Sequence, residues 1–223
     1  MNTNDIAPLP HGEGAAPVQA RRRGRKSRRA VIIEQAAQSF YELGFDRTTV
    51  RDIAAAAGMT SGSIFYHFPT KEDLLAWVIR EGLTLGHETA ERALSGATTP
   101  VQRYHALFVG HLKALHDDRH IHKVSVQEWS RLGDEARVHL KQMNDRYRER
   151  WLNVLTDLSL QGVLKAEPEM VRRTLIASLN WTLHYKIEDL VDLPRLAIRM
   201  AAAGLNLSLS EFEICLQEEQ ASP

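Results

Sequence analysis

The sequence predicts an all-α protein, a small N-terminal three-helix unit followed by a larger helical body, on three observations. Apolar residues recur at helical spacing along most of the 223 residues, and no stretch of useful length alternates as a half-buried strand does. Two Thr-x-x-Asp patterns, Thr49 to Asp52 and Thr70 to Asp73, have the form of capping boxes. Breaks near Pro100, Asp117, Gly133, Gly162, Pro168, Pro194 and Gly204 cut the rest into helix-sized segments.

Residues 1–24 read as a disordered tail and basic arm. Pro8, Pro10 and Pro17 stand among small residues, with none of the basic-then-apolar order of a secretion leader, so the chain is expected to stay in the cytoplasm. Between Arg21 and Arg29 the run RRRGRKSRR holds seven cations and no acid, too much like charge to fold alone. Helix one follows from Ser27, with Ile33, Ala36, Ala37, Phe40 and Leu43 at helical spacing and Gly44 as its stop. Thr49 caps helix two, which runs to about Ala57 and ends at Gly58. Thr60 or Ser61 caps a third helix of barely two turns, closed at Phe68 because Pro69 disfavours helical geometry before it. Thr70 opens a fourth, carrying Leu74, Leu75, Val78 and Ile79.

Beyond Gly96, residues 134–161 predict one long amphipathic helix with Val138, Leu140, Met143, Tyr147, Trp151, Val154, Leu155 and Leu158. Residues 168–186 and 194–208 are apolar on more than one face. That pattern points to a four-helix interface between two identical subunits, through Leu175, Leu179, Leu183, Ile198, Ala202 and Leu205. The domain limits are therefore placed at 25–85 and 86–223, with the turn between helices two and three inside 49–68. Net charge is formally zero, yet residues 21–80 hold eleven Lys or Arg against six Asp or Glu, while residues 81–223 hold seventeen against twenty. A basic head on a mildly acidic body is suited to a polyanion partner. No apolar run approaches the ~20 residues that cross a bilayer. The lone Cys215 has no partner for an internal disulfide, in keeping with a reducing compartment.

A short helix presented after a tight turn is the geometry that enters the major groove of DNA. Here the stretch GFDRTTVRDIAAAAGMTSGSIFYHFPTKEDL joins Ala36, Phe40, Gly44-Phe45, Thr48-Thr49, Ile53-Ala54, Ala57-Gly58, Gly62, Tyr66-His67-Phe68 and Lys71-Glu72 in one register. This register, from about Ser27 to Ile79, resembles the tetracycline-repressor (TetR) family signature. The resemblance implies a cytoplasmic, nucleoid-associated homodimer on an inverted-repeat operator, a repressor released by a small-molecule effector. Thr49, Tyr66, His67 and Lys71 are then expected on phosphates, and Thr60, Ser61, Gly62 and Ser63 nearest the base edges. Arg21, Arg22, Arg23, Arg25 and Lys26 are expected in the neighbouring minor groove. Phe65 departs from the pattern, standing where many members carry a DNA-touching tyrosine. Ile64 and Phe68 read as core.

Past residue 85 the resemblance is one of architecture only. His105, Phe108, His111, Trp129, Tyr147, Trp151 and Trp181 are candidates to line an effector cavity, with apolar walls and few polar anchors. Leu179 to Leu207 faintly resembles members that answer to acyl-coenzyme A thioesters. The run His116, Asp117, Asp118, His120, His122 is read as an interhelical loop rather than a metal site, and no metal or cofactor is expected. No phosphate cradle after a strand, nucleophile elbow or HExxH motif supports catalysis. An effector-independent activator or architectural DNA-binding protein is the alternative.

Overall fold

The computed structural model describes residues 27–184 and 192–218, all of them helix or connecting turn. The arm cations Arg21 to Lys26 lie outside the described residues. Helix α1 spans Arg28–Leu43; Ser27 caps it, and Ile32, Ile33, Ala36, Ala37 and Phe40 face inward on one stripe. Helices α2 (Val50–Ala56) and α3 (Ser61–His67) follow, each of seven residues. Isolated helices so short are unstable in water, so tertiary packing through Ile53, Ala54 and Ile64 holds them.

Helix α4, Lys71–Leu94, is 24 residues long and about 36 Å from end to end. It runs unbroken through residue 85, where the sequence suggested a domain limit. Its first half completes the head and its second half enters the body. Helices α5 (Pro100–Leu115) and α6 (Ile121–Gln127) pack against it, and a short 3-10 turn, Trp129–Arg131, leads to α7 (Asp134–Leu160). Helices α8 (Pro168–Trp181), α9 (Leu193–Gly204) and α10 (Leu209–Glu218) complete the body.

Two differences from the sequence reading have physical causes. His120 and His122 do not lie in an open loop. His120 sits in the left-handed region at φ 58° with no side-chain cap, and α6 starts immediately after it. Burial of Ile121 and Val124 supplies what the missing cap does not. The helix expected over 168–186 ends at Trp181, continuing as a 3-10 turn to His184.

The apolar side chains form two clusters. One joins α1, α2, α3 and the first half of α4 with Ile121, Val124, Leu132 and Leu140. The other joins α5, α7, α8, α9 and α10 around Tyr104, Phe108, Trp151 and Phe212. Gly82 and Gly86, one turn apart on α4, form the notch where α6 crosses. A Cβ at Gly82 would stand 2.6 Å from the carbonyl oxygen of Ile121, and one at Gly86 would stand 2.9 Å from Cε1 of His122.

Candidate nucleic-acid interface and body cavity

Local hydrogen bonds set the polar end of the head. Thr49 and Asp52 close a capping box: the Asp52 amide donates to the threonine hydroxyl at 3.2 Å, and the Thr49 amide donates to the carboxylate at 2.9 Å. Those bonds from Thr49 hold the Asp52 carboxyl below its usual range. Thr60 caps α3 by accepting from the Ser63 amide at 3.3 Å. Gly62 is exposed, and a Cβ there would meet only Thr60 Oγ1, at 3.9 Å. The fold itself does not demand glycine at this position, so the bare surface is the feature to explain.

Tyr66 is 87% exposed and holds His67 edge-on at 5.2 Å, while Ile64 and Phe68 are buried. Phe65, 48% exposed, is a large apolar ring facing water on the same helix. Lys71, expected on phosphate, is engaged within the head. Its ammonium donates to the carbonyls of Phe45 at 2.9 Å and Thr48 at 3.1 Å and lies 4.2 Å from the Phe45 ring centroid. Two of its three donors thus clasp the loop between α1 and α2. Thr48 and Thr49 also divide: the Thr48 hydroxyl is buried on the Ser39 and Gly44 carbonyls, and Thr49 faces outward.

The basic run divides in the same way. Arg29 turns inward, with its guanidinium carbon 3.7 Å from the Trp77 ring centroid, and burial lowers its pKa. Arg28 turns outward and lines a surface groove with Val31, Ala57, Gly58, Met59, Thr60 and Ser63. The exposed Arg51 stands in the first turn of α2. Sequence reading did not name either arginine as a candidate. The available signal was helical spacing, since Arg28 lies three residues before Val31 on the groove side of α1.

The body cavity is about 310 Å³ and lies between α4, α5, α6, α7 and α8. His111, Tyr147 and Trp129 line it, as expected. Phe108 and Trp151 do not: both are fully buried in the second cluster, 5.5 Å apart ring to ring, because their size fills the space between α5 and α7. His105 packs toward Phe212, and Trp181 is 58% exposed on the far side of α8. The sequence reading missed His122, Asn144, Arg148, Arg172 and Asn180. Spacing carried some signal: Asn144, Tyr147 and Arg148 share a face of α7, and Arg172, Ile176 and Asn180 a face of α8.

His111 is the centre of the wall. Its Nδ1 pairs with the Tyr147 hydroxyl at 2.9 Å and its Nε2 with Asn180 Oδ1 at 3.1 Å. Burial, reinforced by the neighbouring His122, pushes the His111 pKa down to about 3, and burial pushes the Tyr147 phenol up to about 12. Both groups are therefore neutral at physiological pH. The other histidines of the former metal candidate go elsewhere: His116 bonds the Thr182 hydroxyl at 2.9 Å and His120 stacks on Tyr41 at 4.4 Å. Among the described residues no three His, Cys, Asp or Glu side chains gather as a metal site would require.

The residues assigned to a subunit interface also separate. Leu175, Leu179 and Ala202 are buried in the chain's own core, whereas Leu183, Ile198 and Leu205 are partly exposed. The exposed large apolar side chains of α8 are Met170 and Trp181. Among the described residues no helix is long and apolar enough to cross a membrane.

A turn-linked helix pair with bare polar ends, carried on a helix that continues into the wall of a lined cavity, defines a helix-turn-helix DNA-binding protein with a chambered body. Residues 32–78 match the model of bacterial regulatory proteins of the tetR family, and residues 97–185 match a tetracyclin repressor-like C-terminal domain. The HTH-type transcriptional repressor KstR2 of Mycolicibacterium smegmatis is 31% identical over 163 residues, covering 70% of this chain and 79% of that protein. The solved structure of the ketosteroid transcriptional regulator KstR2 of Mycobacterium tuberculosis superposes with a TM-score of 0.71 at 26% identity, over 82% of this chain and 95% of that one. The structure of AibR in complex with isovaleryl coenzyme A and operator DNA shares the fold, with a TM-score of 0.73 at 21% identity, over 79% of this chain and 97% of that one. The chain belongs to the tetR family and is a DNA-binding transcription regulator, not an enzyme.

Proposed function

We propose that the protein is a cytoplasmic homodimeric repressor that leaves an inverted-repeat operator when a small-molecule effector fills the body cavity. One observation carries this reading: α4 belongs to both sites, packing the head with its first half and walling the cavity with Leu83 and Gly86 in its second. An effector that favours one setting of α4 shifts the population of head spacings, to the extent that it binds the two settings unequally. Being named a repressor, KstR2 supports the sign of the regulation. The AibR complex supports an acyl-coenzyme A thioester as the effector class.

Dimerisation is assigned to the outer faces of α8 and α9, with Trp181 as anchor and Ile198 and Leu205 beside it. On the DNA side, Tyr66, His67 and Thr49 hold phosphates, with Arg28 and Arg51 added to them. Thr60, Ser61, Gly62 and Ser63 face base edges, and Arg21, Arg22, Arg23, Arg25 and Lys26 follow the minor groove. The test is a titration of the full chain on an inverted repeat, on single-base variants and on random duplex, with and without acyl-coenzyme A. Half-sites should lie roughly 34–36 Å apart or a multiple of that. Tyr66→Phe should weaken all three DNAs alike, and Ser63→Ala should change base preference by about 1–3 kcal/mol. A preferred site without twofold symmetry, or a Trp181→Glu protein that stays dimeric, overturns the assembly. Operator binding indifferent to every thioester tried overturns the effector class.

A further inference from the structure

The polar groups on the outer side of the head have assignments; its exposed phenyl ring has none. Phe65 is 48% exposed on α3, and apolar surface left in water is unfavourable until something covers it. A single exposed apolar side chain is ordinary on a protein surface, so exposure alone decides nothing. Position does. The exposed residues of α3 are Gly62, Phe65 and Tyr66. Phe65 and Tyr66 follow Gly62 by three and four positions, so the three share one face, away from the buried Ile64.

Gly62 is the second observation. Its backbone is not in the left-handed region, and a Cβ there would find only Thr60 Oγ1 within 4 Å, at an ordinary contact distance of 3.9 Å. Glycine within a helix is less favourable than alanine. The head therefore carries a cost at Gly62 that none of its own contacts requires, and the bare spot serves something that comes against this face from outside. Gly62 with Phe65 one turn further on gives α3 a flat patch beside a ring, which lets the helix seat closely on a surface and touch it with the phenyl.

A phenyl ring has no donor for a phosphate and cannot tell a donor from an acceptor on a base edge. The base edges in the major groove carry one apolar group, the C5 methyl of thymine. We propose that Phe65 packs on the C5 methyl of one thymine in each operator half-site, with the bare Gly62 allowing the approach. This rests on the reading of α3 as the helix that faces the bases, and it adds to that reading a specificity residue and the chemical group it selects. The ring does not sense the substituent at C4, so the selected feature is a 5-methylated pyrimidine. 5-Methylcytosine should stand in for thymine at this position and plain cytosine should not, which makes the head responsive to cytosine methylation.

The experiment uses the full chain. Its preferred duplex is selected from a random pool, and each thymine of that duplex is then replaced in turn by deoxyuridine, which deletes the methyl and keeps every hydrogen-bonding group. Affinity is read by fluorescence anisotropy. One thymine in each half-site should be sensitive: losing its methyl should weaken binding about fourfold, and about fifteenfold when both half-sites are altered, the worth of one buried methyl each. In Phe65→Ala the thymine and deoxyuridine duplexes should bind alike, and because the site is exposed the melting point should not move. Phe65→Leu, which keeps an apolar side chain, should keep part of the ratio. Gly62→Ala should melt higher than the parent yet bind the operator more weakly and with a smaller methyl ratio. At the sensitive position 5-methyldeoxycytidine should bind more tightly than deoxycytidine by the same factor. No thymine sensitive to methyl loss, a ratio that survives Phe65→Ala, or equal binding of the two cytidines overturns the assignment of Phe65, and a Gly62→Ala protein with the parent's affinity overturns the close approach. If Ser61 or Ser63 substitutions still change base preference in those cases, α3 remains the reading helix. If no substitution in α3 changes base preference, that reading falls as well.

Discussion

The head and the body use polar groups in opposite ways. In the head, Thr49, Thr60 and Thr70 bond to residues three positions away and stay at the surface, where their free valences face outward. In the body, polar groups are buried and bond across the chain: His111 reaches Asn180, His116 reaches Thr182, and the Tyr104 hydroxyl donates to the Ala201 carbonyl at 3.3 Å. The head's function is written in short-range spacing, which a linear sequence displays. The body's is assembled from five helices, and only the fold brings those residues together.

The largest effect that tests this contrast comes from the two cores' most different aromatics. Trp151 is fully buried, so Trp151→Ala should cost about 3–5 kcal/mol of stability through the cavity it leaves. Tyr66→Ala, at a site 87% exposed, should change stability by no more than about 0.5 kcal/mol yet weaken DNA binding. Denaturant unfolding and operator titration on both proteins separate the outcomes. A Trp151→Ala protein as stable as the parent would remove the distinction.

Acid should act on the body. The folded-state pKa of His111 is depressed to about 3 from an ordinary 6.5, so its neutral form is favoured in the native state and protonation favours the unfolded chain. Stability from this residue is therefore intact above pH 6.5 and is lost as pH falls from there toward about 3, on the order of 1 kcal/mol per pH unit. Burial of His122, His116 and His105 acts in the same direction. Thermal melts from pH 8 to pH 4.5 should show this decline, and His111→Asn should make it shallower. An identical pH slope in the variant would mean that His111 does not contribute.

The smallest effect concerns Lys71. As a clasp on the Phe45 and Thr48 carbonyls, its loss in Lys71→Ala should cost about 1 kcal/mol in the free protein. A residue that only met phosphate would leave the free protein's melting point unchanged and flatten the salt dependence of binding by about 0.9 in log–log slope.

What the sequence disclosed follows from the same division. Helices α1 to α4 and their caps were legible because Ser27, Thr49, Thr60, Thr70 and the apolar stripe of α1 are local signals. Helix α6 was hidden: His120 has a left-handed backbone and no cap, and the helix owes its place to α1 and α4. In the cavity, aromatic residues were legible as a class but not as positions. Trp151 and Tyr147 share α7, yet one faces the core and the other the cavity. The arginines and His122 escaped because a charge on an amphipathic helix reads as a solvated face until a partner helix is placed opposite it.

The first apolar cluster contains Ile121, Val124, Leu132 and Leu140, all beyond residue 85. A gene fragment ending there would leave Leu74, Val78 and Ile79 partly uncovered, so the head is not a portable cassette. Chimaeras that graft this reading head onto another sensor would have to bring the inner face of α6 and the start of α7 with it, or rebuild their contacts on the recipient. In descent as in engineering, operator choice can drift through a few exposed side chains of α3, whereas exchange of whole heads between relatives is limited by the fit of a helix that belongs to neither half alone.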